Sequence, residues 1–185
     1  MRHIALALLL AVVAPGPALA ETTQPDTEGG GTLNPDEMGM GRMMENAARG
    51  ETSMTTCASG YMMTKSGQHA AARALFQRCA ADGYTGAMTW MGHLDNNGLG
   101  ADADPDRAAE WDRQAAEAGD PVGLFNYGLA QLRGHGVRQD LAEGRRLVDR
   151  AAAMGLPVAR RLQGAGYDPD EVTPDADNWK YAPLF

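Results

Sequence analysis

A sequence that repeats at a fixed interval must fold as a stack of similar units, and this chain repeats every 36 residues without a gap. Gly83, Gly119 and Gly155 fall at that interval, and each has an alanine three residues before it. Further positions keep the same register: Gly92 with Gly128 and Gly164, Gly98 with Gly134, Gly100 with Gly136, Asp104 with Asp140, and Leu75 with Trp111 and Leu147. Because one unit cannot bury its apolar face alone, successive units must stack.

Each unit has the pattern of two helices. Asp120 and Pro121 place an N-cap acceptor before a proline at the first helical position, where the missing N–H costs nothing. That helix breaks at a Gly-X-Gly. A second helix follows, with Asp140 and Glu143 as a D-x-x-E capping box and Gly155 at its end. The pattern predicts an all-α fold, a short α/α solenoid of about three helical hairpins, with a flexible N-terminal tether and a C-terminal tail.

The Gly-X-Gly before the second helix has two interpretations. Gly134-His135-Gly136 could be a phosphate-binding loop, which needs a preceding strand, or a turn. A second copy, Gly98-Leu99-Gly100, stands at the same place one repeat earlier, and neither copy follows a plausible strand. We therefore predict a turn with an architectural role.

Residues 119–155, "GDPVGLFNYGLAQLRGHGVRQDLAEGRRLVDRAAAMG", resemble the Sel-one-like repeat, a tetratricopeptide-like α/α solenoid repeat of about 36 residues. The matching positions are Gly128, Leu129, Gly134, Gly136, Val137, Asp140, Ala151, Ala152 and Gly155, and in the preceding unit Gly92, Gly98, Gly100, Asp104, Ala108, Trp111, Ala115, Ala116 and Gly119. The chain departs from the family pattern at Met91, Asp95, Tyr127, Gln131 and Gly144. The resemblance covers roughly residues 68–166.

The resemblance implies a right-handed superhelix whose concave side, lined by the first helices, holds a protein or peptide partner, and it implies no chemistry. The expected groove residues are Trp90, His93, Asp95, Phe125, Asn126 and Gln131. An alternative role for Trp90 and Phe125 is packing in the core between hairpins. Substitutions at Asp95 and Gln131 are expected to leave stability unchanged.

The first twenty residues have the pattern of a secretory signal peptide, with a short basic start, an apolar run of ten residues and a cleavage site after Ala20. Removing Arg2 leaves 15 basic and 24 acidic groups, a formal charge of −9. That charge argues against nucleic acid and against anionic membrane surfaces as partners. We predict a periplasmic chain, with residues 21–37 as a disordered linker poor in apolar residues.

Cys57 and Cys79 are the only cysteines. An even pair in an exported chain favours a disulfide over a metal or redox site, and the alternative is two separate buried thiols. One period on, the two positions correspond to His93 and Ala115, which in the resembling family face each other across a hairpin. The resemblance therefore implies a Cys57–Cys79 disulfide in the terminal unit.

Methionines are concentrated in residues 38–67, ahead of the repeats. Thioethers in an oxidising compartment suit Cu(I), so Met38, Met40, Met43 and Met44 form a candidate copper site. The helical spacing of these residues with Ala47 favours another interpretation, a short amphipathic helix that caps the end of the solenoid.

The C-terminal tail, residues 167–185, is acidic and interrupted by prolines, and it ends in large apolar side chains. These are Trp179, Tyr181, Leu184 and Phe185. Such a tail either folds back on the last repeat or docks on another protein.

The sequence contains no catalytic constellation. Lys65-Ser66-Gly67 resembles an element of penicillin-recognising enzymes, but no serine after residue 20 has a lysine three residues on. His69, His93 and His135 lack the spacing of a zinc site. We expect no enzyme, no metal and no cofactor, and predict an exported periplasmic adaptor that binds another protein. The alternatives are a copper-binding accessory protein and a cell-wall-associated enzyme.

Overall fold

The computed structural model describes residues 39–172, and over this range it is all-helical. The helices are α1 (Met40–Ala48), α2 (Met54–Lys65), α3 (His69–Ala81), α4 (Thr85–Asn96), α5 (Pro105–Glu117), α6 (Pro121–Arg133), α7 (Leu141–Ala153) and α8 (Pro157–Gly164), followed by a 3-10 turn at Pro169–Glu171. The prediction of an all-α solenoid of about three hairpins is confirmed. The predicted signal peptide, linker, Met38 and the tail aromatics lie outside the described residues.

Side-chain caps start the helices of the repeat where the sequence places them. The Asp120 carboxylate accepts from the backbone N–H groups of Val122 and Gly123 at 2.8 and 3.0 Å. The Asp140 carboxylate accepts from Glu143 N–H at 3.0 Å, but the reciprocal half of the predicted capping box does not form. The Asp140 N–H donates to the carbonyl of Gln131 instead, and the Glu143 carboxylate pairs with an arginine.

The Gly-X-Gly loops are turns that let one hairpin press against the previous one. Gly134 and Gly136 both have left-handed backbones, with φ of 68° and 67°. A Cβ at Gly136 would lie 2.0 Å from the carbonyl oxygen of Pro105, at the start of the preceding second helix. Only glycine leaves room for this contact and takes this backbone without strain, so the predicted architectural role is present in the structure.

The hairpins α2–α3, α4–α5 and α6–α7 stack in order, and α8 begins a fourth unit. Each first helix also contacts the next first helix, α2 with α4 and α4 with α6, whereas successive second helices contact each other less. The first helices therefore lie on the inner side of the stack. We call this side the first-helix face and the opposite side the second-helix face.

The stack has two apolar cores. The N-terminal core is built around Phe76, Met91 and Leu94. The C-terminal core contains Phe125, whose side chain is 0 % exposed, packed with Val148 and residues of α8. Of the two interpretations of Phe125, the structure supports the core between hairpins and contradicts the partner groove, because the ring is fully buried.

Cys57 on α2 and Cys79 on α3 form a disulfide, with their Cα atoms 5.9 Å apart. Helix α1 lies against α2, and Arg78 of α3 donates a hydrogen bond to the carbonyl of Ala47 at the end of α1. Met43 is partly buried and Met44 is 38 % exposed. Between residues 39 and 172, no helix combines the length and apolar character that crossing a membrane requires.

Candidate functional site

Three aromatic rings cluster on the first-helix face, and we call Tyr61, Trp90 and His93 the aromatic cluster. The Tyr61 ring meets the Trp90 indole edge-on, with centroids 5.3 Å apart. The His93 ring meets the same indole at 5.1 Å. Tyr61 is 40 % exposed and the neighbouring Met62 is 51 % exposed. These side chains join α2 and α4 into one surface that water reaches and that an apolar segment can cover.

A buried aromatic ring fixes the position of the Trp90 indole. Phe76 of α3 is 1 % exposed and stacks on the indole at 5.9 Å with the planes nearly parallel. Gly60 makes room for Phe76, since a Cβ there would lie 2.5 Å from its ring carbons. Lys65 places its ammonium 5.4 Å from the centre of the Tyr61 ring. The cluster is therefore preorganised, and a positive charge lies beside it.

A polar depression lies next along the stack, between α4, α5 and α6. It is small, about 40 Å³, and Asp112 and Asn126 line it. The Asn126 amide donates to the Asp112 carboxyl at 3.2 Å. Desolvation of the Asp112 carboxyl, together with the negative charge of Asp120 and against the hydrogen bond from Asn126, raises its pKa to about 8. At neutral pH this carboxyl is therefore mostly protonated and can donate a hydrogen bond.

Asp95 does not line a partner groove, because its side chain is 0 % exposed. It points to the second-helix side, where Arg73 donates to it at 2.5 Å and Arg107 at 2.7 and 2.8 Å. The Trp111 indole donates at 3.1 Å. Burial raises the pKa of the Asp95 carboxyl, but the bonds from Arg107 and Arg73 outweigh it and leave the pKa below its usual value. The structure contradicts the expectation that Asp95 can be changed without loss of stability, because its buried carboxylate pairs with two arginines.

The structure thus divides the six predicted groove residues among several places. Trp90 and His93 lie together in the aromatic cluster, and Asn126 lies in the adjacent polar depression. Gln131 occupies in its own repeat the place of Asp95 and lies on the second-helix face, with a buried Oε1 that has no hydrogen-bond partner.

Sequence reasoning missed Tyr61 and Asp112. Tyr61 lies in the degenerate first unit, where the repeat pattern is weak, but its spacing of four from Lys65 on a predicted helix was a usable signal. Asp112 had no such signal, because it stands among the charged residues of a second helix. His135 is held by a 2.7 Å contact between its Nε2 and the Asn96 side chain. Over residues 39–172 no three His, Cys, Asp or Glu side chains come close enough to hold a metal ion.

Comparison with protein families places two adjacent repeats in this chain. The Sel1 repeat matches residues 85–120 and residues 121–156. These two segments are α4–α5 and α6–α7 with their following turns. No curated protein sequence matches the chain significantly.

Solved structures with the same fold include three bacterial proteins. A Sel1 repeat protein from Oxalobacter formigenes is 17 % identical with a TM-score of 0.62, over 75 % of this chain and 57 % of that one. The Helicobacter pylori cysteine rich protein B is 20 % identical with a TM-score of 0.53, over 72 % of this chain and 99 % of that one. A protective antigen of uropathogenic Escherichia coli, displaying an SLR fold, is 18 % identical with a TM-score of 0.50, over 71 % of this chain and 35 % of that one. At these identities the likeness concerns the fold.

Proposed function

Because this chain is a Sel1-repeat protein, with two adjacent repeats, we propose that it is a periplasmic adaptor whose first-helix face binds another protein. Sel1-repeat proteins generally mediate protein–protein interactions and are typically non-enzymatic scaffolds. For this chain we propose both the surface that binds the partner and the compartment in which binding occurs.

The aromatic cluster carries the proposal for the surface. Exposed aromatic side chains supply large contact areas at low conformational cost and often dominate the energetics of interfaces. Tyr61 and Met62 are both substantially exposed, and Trp90 beside them is held in place by the buried ring of Phe76. A partner segment with one or two large apolar side chains fits this surface.

Two observations support export to the periplasm. The first is the signal-peptide pattern of residues 1–20. The second is the Cys57–Cys79 disulfide, a bond that persists in oxidising compartments and is rare in the cytosol. The net charge remains strongly acidic without the signal peptide, which suits a protein partner better than nucleic acid.

Site-specific photocrosslinking in cells of the source organism tests this proposal. A photoreactive phenylalanine is placed at the exposed Met62, next to Tyr61 of the aromatic cluster, and in a matched variant at Met154, which follows α7 and is 55 % exposed. We expect a discrete crosslinked protein only from Met62, in the periplasmic fraction, on a chain that begins at Glu21. Trp90→Ala should then reduce the crosslinked product at least fivefold.

Equal products from Met62 and Met154 would rule out a specific first-helix surface. Recovery of the crosslinked chain from the cytosol with residues 1–20 still attached would rule out the proposed compartment. Because Trp90 is partly buried, the melting temperature of Trp90→Ala is measured alongside, and Tyr61→Ala serves as the variant with less effect on the core.

A further inference from the structure

A second concavity opens on the second-helix face, away from the aromatic cluster, and we call it the α5–α7 groove. Its volume is about 340 Å³, within the range of about 300–1,000 Å³ typical of ligand pockets. Leu124 and Leu147 form its almost fully buried floor, Tyr127 adds partly exposed apolar surface, and Gln131 supplies a polar wall. Charged residues complete the lining at its edge: Arg113, Glu117, Glu143, Arg146 and Arg150.

The preceding repeat shows what normally occupies this place. Leu147 stands one period after Trp111, and Gln131 stands one period after Asp95. In the earlier repeat the Trp111 indole covers the junction, and its N–H donates to the Asp95 carboxylate at 3.1 Å. In the later repeat Leu147 provides neither an aromatic ring nor an N–H donor. The groove is therefore the position of an indole that the local sequence does not provide.

Without this donor, a buried hydrogen-bond acceptor stays unsatisfied. Gln131 Oε1 is buried and has no hydrogen-bond partner. A buried acceptor without a partner costs about 1–3 kcal/mol, so a ligand that donates to it gains affinity beyond its apolar contact. An indole N–H is such a donor, and it is attached to an apolar ring that can pack against Tyr127 above the leucine floor.

The edge of the groove adds a preference for negative charge. Arg113 is already paired with Glu110 and Glu117, and Arg146 with Glu143. The Arg150 guanidinium makes no hydrogen bond or close ion pair with residues 39–172, and its charge acts on the Glu143 carboxyl only at longer range, where it lowers that pKa. A carboxylate beside the indole would be a closer partner for this guanidinium.

We propose that the α5–α7 groove holds the C-terminal segment of this same chain, with Trp179 as the indole and Asp177 beside Arg150. The segment that follows Val172 reads "TPDADNWKYAPLF", which places Asp175 and Asp177 four and two residues before a tryptophan. Its chemistry thus matches the unpaired acceptor and the arginine-rich edge of the groove.

The chain leaves the described region from the same apolar core that underlies this groove. Val172 is 3 % exposed and belongs to the C-terminal core together with Leu124 and Leu147, and its carbonyl accepts from Arg133 of α6 at 2.5 Å. Trp179 lies seven residues beyond Val172 in sequence. Seven extended residues reach up to about 24 Å, and a helix width is about 10 Å, so the segment can cross α7 into the groove.

Fluorine NMR of the full chain labelled with 5-fluorotryptophan tests the proposal. The chain has three tryptophans, and Trp179→Phe assigns the relevant signal. The H₂O/D₂O isotope shift of the Trp179 signal reports its exposure. We expect that shift to be less than half of its value in the urea-unfolded chain, and to be the same over a hundredfold range of protein concentration.

Two pairs of variants make the test specific to the groove. Leu147→Trp restores the indole of the preceding repeat, and Arg150→Glu reverses the edge charge without disturbing the core. Both should raise the Trp179 isotope shift at least 1.5-fold, towards the unfolded value. The controls are Leu141→Trp, at a half-exposed position on the same helix, and Arg138→Glu, in the exposed loop before it. Both controls should leave the shift unchanged.

Three results would overturn the proposal. The first is a Trp179 signal as exposed in the folded chain as in urea. The second is shielding that persists in Arg150→Glu and in Leu147→Trp. The third is shielding that increases with protein concentration, since the occupant would then be a second copy of the chain. The aromatic cluster is not touched by any of these variants, so failure here is independent of the function proposed above.

Discussion

Two aspartates on the neighbouring helices of one hairpin, the buried Asp95 and the partly buried Asp112, have carboxyl pKa values shifted in opposite directions. Burial raises the pKa of both carboxyls. At Asp95 the guanidinium groups of Arg107 and Arg73 outweigh burial, and the pKa falls below its ordinary value. Asp112 receives only a neutral amide hydrogen bond from Asn126, and its pKa rises to about 8. Desolvation acts on both carboxyls, so the opposite shifts in pKa come from the arginines that other helices bring to Asp95 but not to Asp112.

Asp112 should make the free energy of unfolding depend on pH. Its folded pKa of about 8 lies above the ordinary value of 3.8, so the folded state holds the proton more tightly than the unfolded state. This contribution to stability is present below about pH 4 and is lost as the pH rises to 8, at about 1.4 kcal/mol per unit of pKa difference. Asp112→Asn keeps the shape and the acceptor for Asn126 but cannot ionise. We expect the variant to match the wild type near pH 4 and to exceed it by more than 1 kcal/mol at pH 8, about the energy of one pKa unit.

Urea unfolding of both proteins at several pH values between 4 and 8 measures this difference. The matched control is Asp149→Asn, since Asp149 is an exposed aspartate whose carboxyl pKa is lowered by hydrogen bonds from Tyr167 and Gln163. The control should lose stability relative to the wild type at high pH, the opposite sign. A wild-type advantage over Asp112→Asn at pH 8 would contradict the raised pKa.

The hairpin α2–α3 is the element that most needs a covalent link. Three of the buried residues of α2 are polar, Thr56, Ser59 and Thr64, so this helix supplies little apolar area to the N-terminal core. The Ser59 and Thr64 hydroxyls are satisfied by backbone carbonyls of α2 itself, at 2.6 and 2.9 Å. These bonds do not hold α2 against α3. The Cys57–Cys79 disulfide links the two helices, at the end of the described stack where only α1 precedes α2 within residues 39–172.

Removing the disulfide should therefore destabilise the N-terminal hairpin. The double variant Cys57→Ala with Cys79→Ala opens a loop with a sequence separation of 22 residues. In the chain-entropy model closing a loop of that length contributes about 3 kcal/mol, so the melting temperature should fall by about 5–10 °C. Adding a reductant should produce the same loss in the wild type and none in the variant. A wild-type melting temperature unaffected by complete reduction would show that packing alone holds α2 in place.

At the scale of the whole molecule, the stack formed by residues 39–172 has two apolar cores joined by a polar junction. The N-terminal core extends from α2 to α4, and the C-terminal core extends from the end of α5 to Val172. The Asp95 carboxylate stands at the junction, with Arg73 from the hairpin before it and Arg107 and Trp111 from the helix after it. In a solenoid each unit is stabilised mainly by its neighbours, so this network couples the two halves.

Weakening the junction should uncouple the halves as well as destabilise the fold. Asp95→Asn keeps the shape but removes the charge that pairs with Arg73, whose side chain is only 14 % exposed. Breaking a buried ion pair from one side costs about 3–5 kcal/mol. By hydrogen exchange with mass spectrometry we expect α2–α4 to lose protection at least tenfold more than α6–α8.

The matched control for this experiment is Glu110→Gln, which breaks an exposed ion pair with Arg113 on α5. Exposed pairs contribute about 0–1 kcal/mol, so its exchange pattern should be nearly that of the wild type. A uniform loss of protection in Asp95→Asn over all described helices would show that the stack unfolds as a single unit.

Much of this molecule was determined by the sequence alone, because the relevant interactions are local. The repeat interval, the aspartate caps and the two Gly-X-Gly turns involve residues close together in the chain, and each was predicted correctly. The disulfide followed from the resemblance, since position within a repeat implies position in space. The matching repeats in the family comparison follow from the same periodicity.

The tertiary structure decided on which face of the stack each side chain lies. Trp90 and Asp95 are five residues apart on α4, which places them about 140° apart around the helix axis. One therefore joins the aromatic cluster, and the other is buried among arginines from two other helices. The protonated Asp112, the buried Phe125 and the groove beneath Leu147 likewise depend on which side chains neighbouring helices bring within contact distance. No pattern within a single repeat contains that information, because burial and charge pairing are set between repeats.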